Sequence, residues 1–201
     1  FGVIPETMRH VAHLAIRNMG TIGGSLSHAD PAAEWPLLAR LLNAEIEISS
    51  STRQRTVSAH DFFVAPLTTV IEPDELLVHV KLPGLPERCG CAFEEFARRQ
   101  GDYALAAVGV CIEIDHGLVR QARLAVMGVE DIPLRLTKSE QVLQGQNWSA
   151  ELIEHAIEVA ITNLNPRSDL NASSDYRIHL VQNLLKHTLE TAWSRAQMEN
   201  A

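Results

Sequence analysis

The chain lacks an excess of basic residues. Its 201 residues include 17 Lys and Arg against 25 Asp and Glu, which gives a formal net charge of −8. A nucleic-acid-binding surface needs clustered Lys and Arg, so this composition argues against a nucleic-acid partner. No run of about 18 apolar residues is present either, which argues against a membrane span. The apolar fraction of 46% is ordinary for a globular chain of one or two domains.

Cysteine is also scarce, and the chain has only Cys89, Cys91 and Cys111. Three cysteines cannot build the usual all-cysteine iron–sulfur cluster, so we expect no such centre. We assign no metal-binding residue to this chain. Separate thiols in a reducing cytoplasm are the favoured interpretation, and a metal or redox role for Cys89-Gly-Cys91 is favoured less. The start at Phe1-Gly2, without an initiating Met or a signal-peptide pattern, indicates a truncation or a partial gene product.

Glycine is concentrated in one run, where Gly20, Gly23 and Gly24 accompany Thr21 and Ser25. These glycines predict a turn with positive φ angles, and consecutive N–H groups in such a turn can bind a phosphate. The spacing is not that of a GxGxxG motif, and the lysine of a P-loop is missing. From the residues alone, a phosphate-binding turn and a ligand-free Gly-Gly turn both stay open.

The apolar pattern predicts helices and a few strands before residue 86. After the glycine turn, Asp30-Pro31 predicts the start of a helix that Asp30 caps. The strand at 76–82 is apolar enough to be central in its sheet. The elements predicted here are helices at 5–15 and 31–43, a short helix that Ser58 caps, and strands at 45–48, 53–57 and 76–82.

Pro83, Gly84, Pro86 and Gly90 mark a boundary, after which the pattern changes. Strict alternation predicts at least three antiparallel strands, and a helical period follows them. We therefore predict an α+β fold with a small sheet packed on helices. The elements are strands at 92–99, 108–114 and 118–126, a hairpin turn at 115–117, and helices at 137–144, from Ser149 onward, and from Ser173 or Ser174 to about 196.

Two runs carry a resemblance to a known family. One consists of Arg17-Asn18, Gly20 to Ser25, His28, Asp30-Pro31-Ala32, Glu34 and Pro36, and the other of Arg98-Arg99-Gln100-Gly101-Asp102-Tyr103-Ala104. The first resembles the second flavin-binding segment of the FAD-binding medium subunit of molybdenum hydroxylases, and the second is similar to an R-R-x-G-D-Y-A run of the same family. Medium subunits of carbon monoxide dehydrogenase and of bacterial xanthine dehydrogenase-type enzymes belong to it.

The resemblance implies a two-part chain. Residues 1–86 would be the second part of a two-subdomain FAD-binding α+β domain. Residues 87–201 would be the C-terminal flavoprotein domain, an antiparallel sheet with three helices.

The resemblance also implies which residues bind FAD. The glycine-rich segment would contact the diphosphate and ribityl region, the Glu34 carboxylate would accept from ribose hydroxyls, and Leu77 would pack on the adenine side. Asp30 belongs to the same segment, where we expect it to cap the helix. For Arg98 and Arg99 we expect an inter-domain salt bridge rather than a flavin contact. The expected cofactor-binding residues are Thr21, Ile22, Gly23, Gly24, Ser25, Asp30, Glu34 and Leu77.

The function implied is electron transfer within a cytoplasmic complex. In this family a molybdopterin-binding large subunit hydroxylates the substrate. Electrons then pass through a [2Fe-2S] small subunit to FAD, and on to NAD or a respiratory acceptor. The cofactor carries the redox chemistry, so we assign no catalytic residue to this chain.

Two departures from the family pattern matter. Some members have a lysine near the flavin, and the comparable place here reads Phe93-Glu94-Glu95. The family's first flavin-binding segment, an Ala-Gly-Gly-x-Ser run, would precede Phe1. We therefore expect this chain alone to bind FAD weakly or not at all. A partial paralogue that serves as a scaffold without flavin is the alternative hypothesis.

Overall fold

The computed structural model describes residues 2–198, and short helices precede a small sheet in its N-terminal half. The single helix predicted at 5–15 is wrong. The chain turns between Arg9 and His13, where Ala12 has a φ of 40°. The elements are α1 (Val3–Met8), α2 (Leu14–Met19), α3 (Ile22–His28), α4 (Glu34–Leu41), β1 (Glu45–Ser49), β2 (Gln54–Ser58), α5 (Ala59–Phe62), β3 (Phe63–Ala65), β4 (Thr68–Thr69) and β5 (Leu76–Lys81).

β1 is the central strand of an antiparallel sheet with the order β2-β1-β5. β5 is therefore an edge strand, and the prediction of a central strand at 76–82 is wrong. Leu77 and Val80 pack against the core around Ile46 and Phe62, whereas Leu76 is 73% exposed. An apolar run alone cannot distinguish a strand buried on both faces from an edge strand that exposes some of its apolar residues.

The C-terminal half contains a four-stranded antiparallel sheet with the order β6-β7-β8-β9. The predicted hairpin between β7 and β8 is confirmed. His116 and Gly117 have φ angles of 48° and 83°, and positive values at both central residues suit a two-residue hairpin. The elements are β6 (Cys89–Phe96), β7 (Ala106–Asp115), β8 (Leu118–Met127), β9 (Leu134–Arg135), α6 (Thr137–Leu143), α7 (Ala150–Thr162) and α8 (Ser174–Met198).

Helices cover both faces of this sheet. The even-numbered residues of β7 belong to one apolar cluster with α7 and α8, whereas Ala107 and Cys111 on the opposite face belong to a second cluster with α1 and α4. Two glycines allow this close packing. A Cβ at Gly90 would lie 2.1 Å from Ala192 O of α8, and a Cβ at Gly109 would lie 2.8 Å from Leu41 Cδ2 of α4. The fold is therefore α+β with an antiparallel sheet packed on helices, as predicted.

Serine side chains cap three of the helices. Ser58, Ser149 and Ser173 each accept a hydrogen bond from the backbone N–H group three residues ahead, at the starts of α5, α7 and α8. These caps confirm the predicted helix starts. Within residues 2–198, no helix combines the length and the apolar character that crossing a membrane requires.

Polar contacts join the two halves. Arg195 of α8 pairs with Glu6 of α1, with Nη2 and Oε1 3.0 Å apart. Arg135 Nη1 donates to Arg40 O at 3.1 Å and to Asn43 Oδ1 at 2.6 Å. These bonds fix α1 and the end of α4 against the C-terminal half.

The cysteines lie closer together than their spacing suggested. Cys91 on β6 and Cys111 on β7 are directly opposite one another, with Cα atoms 4.1 Å apart, and they form a disulfide. The expectation of separate thiols is therefore wrong for this pair. Cys89 Sγ lies 3.9 Å from Cys91 Sγ. Only the register of β6 against β7 brings Cys111 to the other two.

Candidate functional site

The glycine-rich run is the start of a helix rather than a turn with positive φ angles. α3 begins at Ile22, and neither Gly23 nor Gly24 has a positive φ. Thr21 caps the helix, because its Oγ1 accepts a hydrogen bond from Gly24 N at 3.0 Å. The predicted conformation is wrong because this cap and the burial of Leu26 outweigh the low helix propensity of glycine.

The first turn of α3 presents polar groups to a ligand. The carbonyl groups four residues before Ile22 and Gly23 lie outside the helix, since the first intrahelical bond runs from Ser25 N to Thr21 O, so the helix cannot satisfy these two N–H groups. Ser25 is half-buried in the same turn. On the β5 side, a Cβ added at Gly23 would lie 3.5 Å from Leu77 Cδ2. The structure therefore brings the predicted residues Thr21 to Ser25 together with Leu77.

Asp30 shapes the connection between α3 and α4 but does not cap α4. Its Oδ1 accepts from Ala32 N at 2.8 Å, and its carbonyl oxygen accepts from Ala33 N at 3.1 Å. α4 begins at Glu34, with Ala33 in the cap position. The predicted helix start at Asp30-Pro31 is wrong, because an Asx turn occupies the side chain that was expected to cap the helix.

Glu34 is the first residue of α4, and its acidity is strongly perturbed. Burial raises the pKa of Glu34 to about 7, and the carboxyl groups of Glu95 and Asp30 act in the same direction. The backbone N–H group of Glu34 and the nearby His10 oppose this rise. Near pH 7 both protonation states are populated, so the group can donate a hydrogen bond as well as accept one.

Further titratable groups surround Glu34. His10 Nδ1 lies 3.4 Å from Glu95 Oε1, and this hydrogen bond is the main cause of the raised pKa of His10. Glu95 Oε2 is buried and has no hydrogen-bond partner within residues 2–198. The negative charge of Asp30 is the main cause of the raised pKa of Tyr103, with burial and Glu34 adding to it. The second motif therefore contributes Tyr103 to this carboxyl cluster.

Two other motif residues shape the chain around the site. Gly101 has a φ of 85° and packs so closely that a Cβ there would lie 2.7 Å from His13 Cε1. Arg17 Nη1 donates to Val11 O at 2.7 Å and to Ala12 O at 2.8 Å. Arg17 therefore holds the turn against which the second motif packs.

Arg98 is bonded within the C-terminal half, where its Nη2 donates to Asn171 O at 2.6 Å. Across the part of the chain that the structure describes, neither Arg98 nor Arg99 forms an ion pair with the N-terminal half. The expected salt bridge at these positions is therefore wrong. The ion pair of Arg195 with Glu6 joins the halves instead.

The predicted site residues form two groups, one at each end of α3. Thr21 to Ser25 lie with Leu77 at one end, and Asp30 and Glu34 follow the other end. α3 itself has 7 residues and is about 10 Å long, and the chain turns at Asp30 before Glu34 begins α4. Sequence reasoning missed His10 and Glu95, which meet only through the turn before α2 and the register of β6.

Both halves of the chain match known family models. Residues 2–85 match the FAD binding domain in molybdopterin dehydrogenase, and residues 91–192 match the CO dehydrogenase flavoprotein C-terminal domain. The chain is 41% identical over 187 residues to the nicotine 6-hydroxylase medium subunit of Paenarthrobacter nicotinovorans. This alignment covers 93% of this chain and 65% of that protein. It is 32% identical to the carbon monoxide dehydrogenase medium chain of Afipia carboxidovorans, covering 97% of this chain and 68% of that one.

Solved structures agree with these relatives. Carbon monoxide dehydrogenase from Hydrogenophaga pseudoflava superposes with a TM-score of 0.94 at 30% identity, covering 97% of this chain and 68% of that chain. Quinoline 2-oxidoreductase from Pseudomonas putida 86 gives 0.89 at 36% identity, covering 98% and 68%. The chain spans 65% and 66% of the two curated relatives from Paenarthrobacter nicotinovorans. It belongs to the FAD-binding medium subunits of the molybdenum hydroxylase family.

Proposed function

We propose that this chain is the electron-transfer flavoprotein subunit of a molybdenum hydroxylase complex. Electrons would pass from a [2Fe-2S] small subunit through FAD to NAD or a respiratory carrier, while a molybdopterin-binding large subunit hydroxylates the substrate. The observation that carries this proposal is the start of α3, where N–H groups without intrahelical partners lie beside Leu77 in the part of the chain that matches the FAD binding domain in molybdopterin dehydrogenase. Glu34 at the start of α4 adds a carboxyl group.

The residues at the start of α3 would hold the FAD diphosphate. The N–H groups of Ile22 and Gly23 point out of the first turn, and the Ser25 hydroxyl adds a donor. The lack of a Cβ at Gly23 leaves room for close approach on the side of Leu77, where we place the adenine. Thr21 holds the turn in shape as its cap.

Glu34, the first residue of α4, would bind ribose hydroxyls of the cofactor. With a pKa of about 7, it can accept from one hydroxyl as a carboxylate or donate as a carboxylic acid. Asp30 acts indirectly, because its side chain is bonded to Ala32 N and fixes the entry into α4. We keep all eight predicted residues in the proposed site and distinguish these direct and indirect roles.

FAD, when bound, supplies one- and two-electron transfer, and the polypeptide supplies its position and electrostatic surroundings. Glu94 and Glu95 stand at the place where some family members have a lysine, and Glu95 adds a carboxyl group near Glu34. These carboxyl groups would disfavour added negative charge on a nearby flavin and would therefore lower the reduction potential of that flavin. We further propose the division of the chain into residues 1–86 and 87–201, with FAD held by the first part.

FAD titration into the 201-residue chain tests the binding proposal, followed by calorimetry and by visible absorbance after desalting. We expect weak binding that saturates only at high FAD concentration, and a further loss of affinity in Gly23→Val and in Glu34→Ala. Ser51→Ala, an exposed change in the turn between β1 and β2, is the control and should bind like the unmodified chain. Equal affinity in all four proteins would place the flavin elsewhere.

The electron-transfer step has its own test. NADH or a reduced quinone is added to the FAD-loaded chain while the visible flavin band is recorded. Bleaching by NADH would indicate NAD as the acceptor, and bleaching by the quinol would indicate a respiratory carrier. No bleaching by either would contradict direct exchange with both.

A scaffold role without flavin is the second candidate, and one observation favours it. α2 has no buried residue, and Leu14, Ile16 and Met19 are 65%, 56% and 86% exposed. Three exposed apolar side chains on so short a helix favour a surface that another polypeptide covers. A chain that binds its partner subunits but shows no saturable FAD binding would support this candidate.

A further inference from the structure

The three cysteines converge on one face of the C-terminal sheet. Side chains alternate along a strand, so Cys89 and Cys91 face α1 and α4 while Gly90 between them faces α8. Cys111 lies directly opposite Cys91 on β7. The three sulfur atoms all lie within 4.8 Å of one another, and none of the three residues is more than 9% exposed.

A buried cation lies in the same row across the sheet. Arg123 on β8 is directly opposite Cys111, and its Nη1 has no hydrogen-bond partner within the described range 2–198. A buried guanidinium is costly unless negative charge accompanies it. On the other side, Arg195 donates to Cys91 O at 2.6 Å, although Glu6 offsets part of its charge. The two arginines therefore place positive charge beside the cluster.

We propose that the three thiolates bind one Cu(I) ion when the Cys91–Cys111 bond is reduced. Soft sulfur donors select Cu(I) or Zn(II), but structural zinc almost always takes four ligands. Within residues 2–198, no His, Asp or Glu completes this three-cysteine group. Three soft donors without a fourth therefore favour Cu(I).

The spacing of the sulfur atoms suits a three-coordinate ion. With metal–sulfur bonds of about 2.3 Å, sulfurs at 120° lie about 4.0 Å apart. Cys89 Sγ and Cys91 Sγ are already 3.9 Å apart. In the reduced state, rotation of Cys111 about χ1 moves its sulfur from bonding distance towards the third corner.

The ion can reach this site through a groove of about 1110 Å³ that Cys89 and Cys91 help to line. Arg9 of α1 and Arg195 of α8 line the same groove. Binding exchanges up to three thiol protons for one copper ion and moves no electron. Opening the disulfide takes two electrons, which an added phosphine supplies as it becomes the phosphine oxide with oxygen from water. The proposal does not depend on flavin binding.

The test is Cu(I) titration of the phosphine-reduced 201-residue chain without oxygen, in competition with a chromogenic Cu(I) chelator. We expect one ion per chain, a thiolate-to-copper absorption in the near ultraviolet, and tighter binding of Cu(I) than of Zn(II). The oxidised chain should bind at least ~100-fold more weakly, because two of three ligands are then tied up. This comparison needs no variant.

A relocated cysteine provides the matched control. Cys89→Ser combined with Ser51→Cys keeps the number of thiols but moves one to an exposed turn. We expect at least ~100-fold weaker binding in this variant, with the circular dichroism of the parent. Equal Cu(I) affinity in the parent and the relocated variant, equal affinity in the oxidised and reduced chains, or tighter binding of Zn(II) would each overturn the proposal.

Discussion

Gly23→Ala, which adds one methyl group at the proposed diphosphate site, should affect FAD affinity and protein stability differently. Gly23 lies in the first turn of α3 without a positive φ, and a Cβ there would make an ordinary contact of 3.5 Å with Leu77 Cδ2. Alanine in a helix is more favourable than glycine by about 0.5–1 kcal/mol. Gly23→Ala should therefore be at least as stable as the parent.

The same methyl group should weaken FAD binding. It stands on the Leu77 side of the first turn, where close approach of the diphosphate to the N–H groups of Ile22 and Gly23 is needed. A hydrogen bond to a charged group contributes about 1.5–3 kcal/mol. Losing one or two of them corresponds to a 10- to 100-fold or greater fall in affinity, as an order of magnitude. Calorimetric titration with FAD up to millimolar concentration measures the affinity, and thermal unfolding without FAD measures the stability.

Two variants complete the comparison. A Cβ at Gly24 would lie 2.9 Å from Thr21 Oγ1, so Gly24→Ala should displace the cap and lower both stability and affinity. Ser27→Ala, an exposed change in the last turn of α3, should alter neither. If Gly23→Ala binds FAD as tightly as Ser27→Ala, the first turn of α3 does not bind the diphosphate, and the reasoning is refuted.

Three further predictions concern stability. The pKa of Glu34 is about 7 in the folded chain and 4.5 ordinarily. Between these pH values the folded state keeps a proton that the unfolded state has lost, so the free energy of unfolding falls as the pH rises. In urea unfolding across this pH range, Glu34→Gln should remove that fall and be more stable than the parent by at most about 3 kcal/mol above pH 7. A variant with the same pH profile as the parent would contradict this. Gly90→Ala should lower the free energy of unfolding by more than about 3 kcal/mol, because its Cβ would lie 2.1 Å from a backbone oxygen of α8. The control Gly84→Ala has open space around it and should leave the melting temperature unchanged. Arg177→Met should cost about 2–4 kcal/mol in chemical unfolding, since the buried guanidinium donates to two backbone carbonyls and to Asp169, and a loss below about 1 kcal/mol would count against this role.

Local chemistry allowed much of the C-terminal half to be predicted from the sequence. Alternating apolar residues in β7 and the Asp115-His116-Gly117 turn specify a hairpin, because both the period and the positive φ angles are local properties. Ser149 likewise marks a helix start, since its side chain reaches an N–H group only three residues away. These features need no knowledge of distant parts of the chain.

The errors arose where one local hydrogen bond competes with another or where tertiary contacts decide. The glycines at 23 and 24 suggest a turn, but the Thr21 cap and the packing of Leu26 make the segment helical. Aspartate is a common residue at helix N-caps, but the Asp30 side chain accepts from Ala32 N in a local turn instead. The meeting of Cys91 with Cys111 depends on strand register, which the spacing along the chain does not define.

The residues of the two motifs divide according to what they contact. Arg17 and Gly101 build the polypeptide around the site, since one holds the turn before α2 and the other packs against it. The first turn of α3 and Glu34 leave groups that a ligand can use. A long motif is therefore recognisable in sequence because it encodes the shape of the site as well as its contacts. Changes such as Arg17→Ala should impair binding by altering loop geometry without removing a ligand contact.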